Sequence, residues 1–146
     1  DGTPTNAVYG VMNMLHRQII QLRPDFFVVA FDVHAPTFRH EMYSEYKAGR
    51  RPTPPDLLTQ FPLVRQGLLA LGAHCVECPG YEADDILGTY AAMSKAAGVE
   101  AYLFTGDKDS LQLISDGVTV LLATTGESVV YDRSFFFEKY SSNSLE

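Results

Sequence analysis

Six carboxylates are grouped in a way that can do chemistry. Asp32 ends an apolar run, Glu82, Asp84 and Asp85 fall within the tetrapeptide Glu82-Ala83-Asp84-Asp85, and Asp107 and Asp109 flank Lys108. Acids held roughly 4–6 Å apart raise one another's pKa values and oppose folding. Hard divalent cations relieve that repulsion, and Mg2+ and Mn2+ prefer carboxylate and water oxygens. Capping of a helix N-terminus accounts for any one of these acids taken singly. It does not account for the set, because a cap needs no doubled acid. In a regular helix residues 82 and 84 point about 200° apart. Glu82 is therefore expected in the turn before a helix, after Pro79-Gly80, if it is to join Asp84 and Asp85. Asp107 and Asp109 are expected on one side of an extended link.

The elements that must position these acids alternate between helix and strand. A helical stripe runs through Val8, Val11, Met12, Leu15, Ile19 and Leu22, and Pro24 stops it. Phe26 to Phe31 is apolar on both faces, like a central parallel strand, and ends in Asp32. Thr53 is positioned to cap a helix with Pro54 at its first position, running to Leu71 before Gly72, with a kink or late start at Pro62. Strands are expected at 74–78, 99–105 and 118–123, with 128–131 as a hairpin partner for the last. Helices are expected at 82–97, 109–114 and 134–140. This order predicts an α/β fold, a three-layer sandwich with a mostly parallel central sheet. In such sheets the ligand crevice lies at the carboxyl ends of the strands. Asp32 and Asp107 fall there, and Glu82, Asp84 and Asp85 open the helix after a third strand.

Composition narrows the class. The chain has 146 residues, enough for one domain, and 46% are hydrophobic against 20% charged, so disorder is excluded. The longest strongly apolar run, Phe26 to Phe31, is too short to cross a bilayer, and Asp1-Gly2-Thr3-Pro4-Thr5 lacks the order of a signal peptide. A cytoplasmic protein without membrane partners is the expectation. The net charge of −7 alone argues against nucleic acid, but the six grouped acids hold most of that excess. Four of the eleven basic residues, Arg39, Lys47, Arg50 and Arg51, fall within thirteen positions of a polar, basic and aromatic excursion from Val33 to Pro55. His74, Cys75 and Cys78 lack the second pair that a zinc site requires, and positions 75 and 78 face opposite sides of a strand. A haloacid-dehalogenase-type phosphatase would want Asp-x-Asp after the first strand, whereas Asp32 is followed by Val33-His34.

Six stretches in order carry a family resemblance: Gly2-Thr3-Pro4-Thr5-Asn6-Ala7-Val8-Tyr9-Gly10, Val29-Ala30-Phe31-Asp32, Thr37-Phe38-Arg39-His40-Glu41, Tyr46-Lys47-Ala48-Gly49-Arg50, Gly80-Tyr81-Glu82-Ala83-Asp84-Asp85 and Thr105-Gly106-Asp107-Lys108-Asp109. From about residue 2 to 140 the chain resembles the 5′ nuclease, or flap endonuclease-like, domain at the N-terminus of bacterial DNA polymerase I and its stand-alone relatives. The resemblance implies the PIN-like 5′ nuclease fold. It also implies a metal-dependent 5′–3′ exonuclease that hydrolyses phosphodiesters at DNA 5′ ends, flaps and nicked duplex in replication and repair, in the bacterial cytoplasm and nucleoid. Two ions, Mg2+ or Mn2+, are implied, one generating the nucleophile and the other stabilising the leaving oxygen. Asp32, Glu82, Asp84 and Asp85 match the acids of the first metal site, and Asp107 and Asp109 match acids that serve the second.

Lys47 and Arg50 match basic residues of the family's helical arch, with the catalytic role of meeting the scissile phosphate. The arch or gate segment spans 33–55, Arg39 and Arg51 are expected on neighbouring phosphates, and Tyr46 on a terminal base. Residues 1–140 correspond to the N-terminal, resolvase-like part of the domain, with a polymerase domain expected in the same parent chain. The family's opening apolar strand with its Asp, and its later acidic motif and helix-hairpin-helix, have no counterpart. The fold is thus expected to be incomplete at both ends, weak or inactive alone, with 141–146 a cloning-derived tail. Two rivals stand beside this reading, a stand-alone exonuclease and a degenerate module that binds nucleic acid without cutting it. Six retained acids oppose the second, since they repel phosphate.

Overall fold

A computed structural model describes residues 2–33, 35–43, 45–49, 51–124 and 127–141. The chain divides into two compact units, Asp1–Glu82 and Ala83–Glu146.

The first unit opens with α1 (Asn6–Leu22), whose apolar stripe of Val8, Val11, Met12 and Leu15 packs on Val64, Leu68 and Ala73. The helix ends at Leu22, two residues before Pro24. Proline disfavours helical backbone in the residue before it, and Arg23 turns into the left-handed region at φ 47°. Strand β1 (Val28–Phe31) pairs in parallel with β2 (His74–Glu77), from Val28 opposite His74 to Phe31 opposite Glu77. Between them lie α2 (Phe38–Met42), α3 (Pro55–Leu58) and α4 (Phe61–Ala70).

The helix expected from Pro54 to Leu71 is two helices, and it starts one residue later. Pro55 forces the residue before it out of helical backbone, so Pro54 is extended at ψ 139° and Pro55 takes the first helical position. Pro62 lacks an N–H and its ring excludes the carbonyl four residues back, so the ladder breaks at Thr59-Gln60 and restarts as α4. Gln60 then serves the fold in another way. It is 2% exposed; its Oε1 accepts from the N–H groups of Ala7 at 2.7 Å and Val8 at 3.3 Å, and its Nε2 donates to Asn6 Oδ1 and the Asp56 carbonyl. A side chain 53 residues away thus satisfies the first amides of α1, where the N-cap residue Thr5 makes no side-chain bond. The close approach of α1 and α4 needs Gly67, where a Cβ would stand 3.0 Å from the Met12 sulfur.

The second unit begins with α5 (Ala83–Ala97) and continues with β3 (Ala101–Thr105), a 3-10 helix (Lys108–Leu113), β4 (Val118–Ala123), β5 (Ser128–Tyr131) and α6 (Arg133–Ser141). Strand β4 lies in the middle, parallel to β3 and antiparallel to β5, as the hairpin expectation required. Val118, Val120, Leu122, Leu103, Leu111, Ala91 and Tyr131 form its buried core. The α/β class and predominantly parallel pairing follow the sequence. Among the described residues the ladders form two sheets, of two and three strands, where one central sheet was expected. Residues 142–146, most of the expected tail, lie outside the described residues.

Candidate active site

The two-stranded sheet carries Asp32 one residue past the end of β1, and the turn Pro79-Gly80 follows the same end of β2. Glu82 sits after that turn and before α5, the position its spacing required. Its side chain is 11% exposed. A buried carboxylate is tolerable only when paired, and the pairing comes from the basic excursion. Lys47 Nζ donates to Oε1 at 2.8 Å, the Tyr46 hydroxyl donates to Oε2 at 3.3 Å, and Arg39 Nη1 stands 3.9 Å from Oε2.

Local structure brings these groups in. Thr37 is buried and caps α2, and its N–H donates to His40 Nδ1 at 3.1 Å, a capping box with histidine in the usual place of Glu or Gln. The Phe38 N–H donates to the Gly80 carbonyl at 3.0 Å, tying the excursion to the turn that presents Glu82. After α2 the chain turns through Tyr46 N–H to Tyr43 carbonyl and Ala48 N–H to Glu45 carbonyl bonds, each 3.0 Å. Lys47 occupies the left-handed region at φ 59°. That conformation costs a non-glycine residue about 1–2 kcal/mol, and the ion pair with Glu82 offsets it. The edge of the His40 ring meets Tyr46, centroids 5.2 Å apart, and the Lys47 ammonium lies 5.1 Å from the centroid of the same ring.

Asp84 and Asp85 occupy the first turn of α5, Asp84 exposed and Asp85 half-buried. Their charges favour the positive end of the helix dipole. Asp107 follows β3 and caps the 3-10 helix, its Oδ1 accepting from the Asp109 N–H at 2.9 Å. Asp107 itself is extended, and the helix expected from 109 starts one residue earlier, at Lys108, which shortens the expected extended link. The capping bond folds the chain at once, so Asp109 lies inside the 3-10 helix. Both carboxylates are exposed, as is Arg51. Arg50 lies outside the described residues.

Of the expected site residues, Arg39, Tyr46, Lys47 and Glu82 are brought together. The six acids are oxygen donors of the type that suits a hard divalent cation. Among the described residues no three His, Cys, Asp or Glu side chains gather to hold one. Sequence reasoning missed the Glu82 cluster, which joins positions 35 and 36 residues apart. It also left His40 without a partner, although the Thr37-x-x-His40 spacing was a usable signal. Every buried side-chain nitrogen and oxygen among the described residues has a hydrogen-bond partner. No helix of the described residues is long and apolar enough to cross a membrane.

Comparison with known proteins places these features. Residues 1–141 match the family model for the 5′–3′ exonuclease N-terminal resolvase-like domain. The DNA polymerase I of Bacillus caldotenax is 46% identical over 141 residues, 95% of this chain, and that of Bacillus subtilis is 42% identical over the same coverage. The thermostable DNA polymerase I of Thermus aquaticus is 41% identical over 139 residues. The chain spans only 16% of the length of these polymerases. Two solved structures share the fold at low identity. Bacteriophage T5 5′-exonuclease with bound zinc superposes at a TM-score of 0.69 and 17% identity, covering 96% of this chain and 55% of that one. A T5 flap endonuclease in a pseudo-enzyme–product complex with DNA and metal ions gives 0.69 and 17%, covering 95% and 56%. The α/β, PIN-like fold is thus shared with the phage enzymes, and the chain belongs to the 5′–3′ exonuclease N-terminal resolvase-like domain family.

Proposed function

We propose that this chain forms the catalytic part of a metal-dependent 5′–3′ exonuclease and flap endonuclease that hydrolyses phosphodiesters at DNA 5′ ends in replication and repair. Residues 1–140 supply that part, and 33–55 act as its gate. A polymerase domain continues the same parent protein, which works in the bacterial cytoplasm at the nucleoid. The observation that carries the reading is the convergence of Arg39, Tyr46 and Lys47 on Glu82, immediately before Asp84 and Asp85. A pure binding module gains nothing by burying an acid among the cations meant for phosphate.

In the proposed mechanism Asp32, Glu82, Asp84 and Asp85 would hold one Mg2+ or Mn2+, and Asp107 and Asp109 would serve a second. Such a pair of ions supplies Lewis acidity for an in-line displacement at phosphorus. The chain's own residues do the rest. Lys47 and Arg50 meet the scissile phosphate and neutralise its growing charge. Arg39 and Arg51 hold neighbouring phosphates and fix the register of the strand. The Glu82 carboxylate keeps Lys47 and Arg39 oriented toward one place before DNA arrives.

The test is Mn2+ binding followed by electron paramagnetic resonance, with cleavage of a labelled 5′ flap in parallel. Mn2+ should bind, and Asp84→Asn and Asp107→Asn should each weaken it. In the parent protein, cleavage should require Mg2+ or Mn2+ and vanish in EDTA. Equal cleavage in EDTA, or Mn2+ binding indifferent to both substitutions, would overturn the reading.

A further inference from the structure

Beside the Glu82 cluster stands a pair of rings that the proposed mechanism does not use. Phe38 opens α2 and Tyr81 immediately precedes Glu82; their centroids are 5.7 Å apart with the planes at 54°. This is no core contact, since Tyr81 is 51% exposed and Phe38 38%. The rings are nevertheless held in place. The bond from the Phe38 N–H to the Gly80 carbonyl joins their backbones, and Gly80, at φ +86°, supplies the turn. The Arg39 guanidinium carbon lies 4.5 Å from the Phe38 centroid, and the same guanidinium reaches toward Glu82. Arg39, Phe38 and Tyr81 thus form a series, cationic at one end and open and aromatic at the other.

Tyr46, where sequence places a stacking role, is differently situated. Its ring carries the Lys47 ammonium and the His40 edge, and its hydroxyl is bonded to Glu82. Tyr81, half-exposed and packed on the ring that carries the Arg39 guanidinium, offers its aromatic surface to solvent beside the cations. Every nucleobase presents a π face, so an exposed ring next to phosphate-binding cations recognises single strands without regard to sequence. Arginine over the supporting ring adds a cation–π contribution.

We propose that Tyr81, backed by Phe38, is the platform on which one unpaired nucleobase stacks while Arg39 and Lys47 meet the flanking phosphates. The proposal rests on the nuclease reading above, and names a positioning residue within it.

The experiment titrates the chain into 5′-flap DNA in which 2-aminopurine replaces each flap nucleotide in turn, in EDTA so that hydrolysis does not intervene. An RNA flap of the same sequence forms a second arm. One position should show a fluorescence change on binding. Tyr81→Leu, which keeps apolar bulk but removes the ring, should abolish that change and weaken binding about tenfold. Tyr81→Phe should keep both. An abasic nucleotide at that position should weaken the wild type about tenfold and leave Tyr81→Leu unaffected. Equal signals in both arms assign the platform to the base alone, and a signal confined to one arm assigns it to that nucleic acid. Wild-type-like signal and affinity in Tyr81→Leu, or their loss in Tyr81→Phe, would overturn the platform while flap binding survives. Absence of flap binding by the wild type would overturn the nuclease reading and the platform together.

Discussion

The two units bury different things. In Ala83–Glu146 the buried residues among those described are apolar, Leu103, Leu111, Val118, Val120, Leu121, Leu122 and Tyr131 among them, with Ser110 the one buried hydrophilic side chain. Among the described residues of Asp1–Glu82 the buried apolar set is Val64, Leu68 and Ala73, beside buried Thr37, Gln60 and Glu82. Apolar burial is non-directional and roughly proportional to area, so it fixes a scaffold without specifying what stands on it. A buried polar group must find a partner in the right direction, so each one specifies a geometry. Thr37 orders α2, Gln60 the start of α1 and Glu82 the basic turn. The first unit spends its interior on orienting groups, the second on holding a sheet.

Truncating the sheet core should produce the largest effect. Leu103→Ala should lower stability by about 2–5 kcal/mol, the range for deleting a buried leucine side chain, read as a shift of the denaturant midpoint. Hydrogen exchange sharpens the contrast. Amides of β4, bonded on both sides and almost wholly buried, should exchange far more slowly than those of β1, which has one partner strand and no buried residue. Equal protection of β1 and β4 would erase the distinction drawn between the units.

Gln60 comes next. Gln60→Leu keeps the volume but strands the amides of Ala7 and Val8, and should cost about 1–3 kcal/mol. Urea denaturation measures it. A neutral outcome would mean that water or another group caps α1 equally well.

The elements legible in the sequence are those whose signal is local. The β4–β5 hairpin was readable residue by residue, because apolar runs bounded by turn residues leave little choice of ends. After Thr53 the interruption expected near Pro62 is present, and only the start was misread, because Pro55 keeps Pro54 out of helical backbone. The helix after Asp107 was placed one residue late, because the Asp107 side-chain bond to Asp109 N–H already turns the chain at Lys108. At the site, the seat of Glu82 before α5 followed from helical geometry. Its partners did not, because they depend on how a turn at 45–48 meets a carboxylate at 82, and no spacing rule spans that distance. Tyr81 was hidden for a plainer reason, as an aromatic residue beside an acid has no distinctive pattern.

Within the Glu82 cluster the effects should be smaller but coupled. A double-mutant cycle of Lys47→Met and Glu82→Gln, read by chemical denaturation, should give a coupling of about 1–2 kcal/mol for a charge-assisted, largely buried bond. Lys47 also relaxes from its left-handed conformation once the pair is broken, so Lys47→Gly should be milder than Lys47→Met. Additive single substitutions would place Glu82 outside the group that organises the basic turn.

The smallest effect belongs to an exposed side-chain ion pair of the second unit. Arg133 Nη1 lies 2.6 Å from Asp116 Oδ1, shorter than the Lys47–Glu82 contact, yet both side chains are more than half exposed. Distance alone would rank this pair first; solvent screening ranks it last. The Arg133 hydrogen bond, with the guanidinium charge behind it, holds the Asp116 carboxyl below its ordinary value of 3.8. A depressed carboxyl stabilises the folded state above its unfolded pKa and loses that contribution as pH falls through the folded one. Asp116→Asn should therefore leave the melting temperature at pH 7 indistinguishable from wild type in 0.5 M salt, and any difference at low salt should vanish on acidification below the folded pKa. Carboxyl carbon NMR should place the Asp116 midpoint below 3.8 and return it toward the ordinary value in Arg133→Gln. A melting difference that persists in high salt would show that exposure had not discounted the pair, and burial would then no longer be what separates a charge that orders a site from one that decorates a surface.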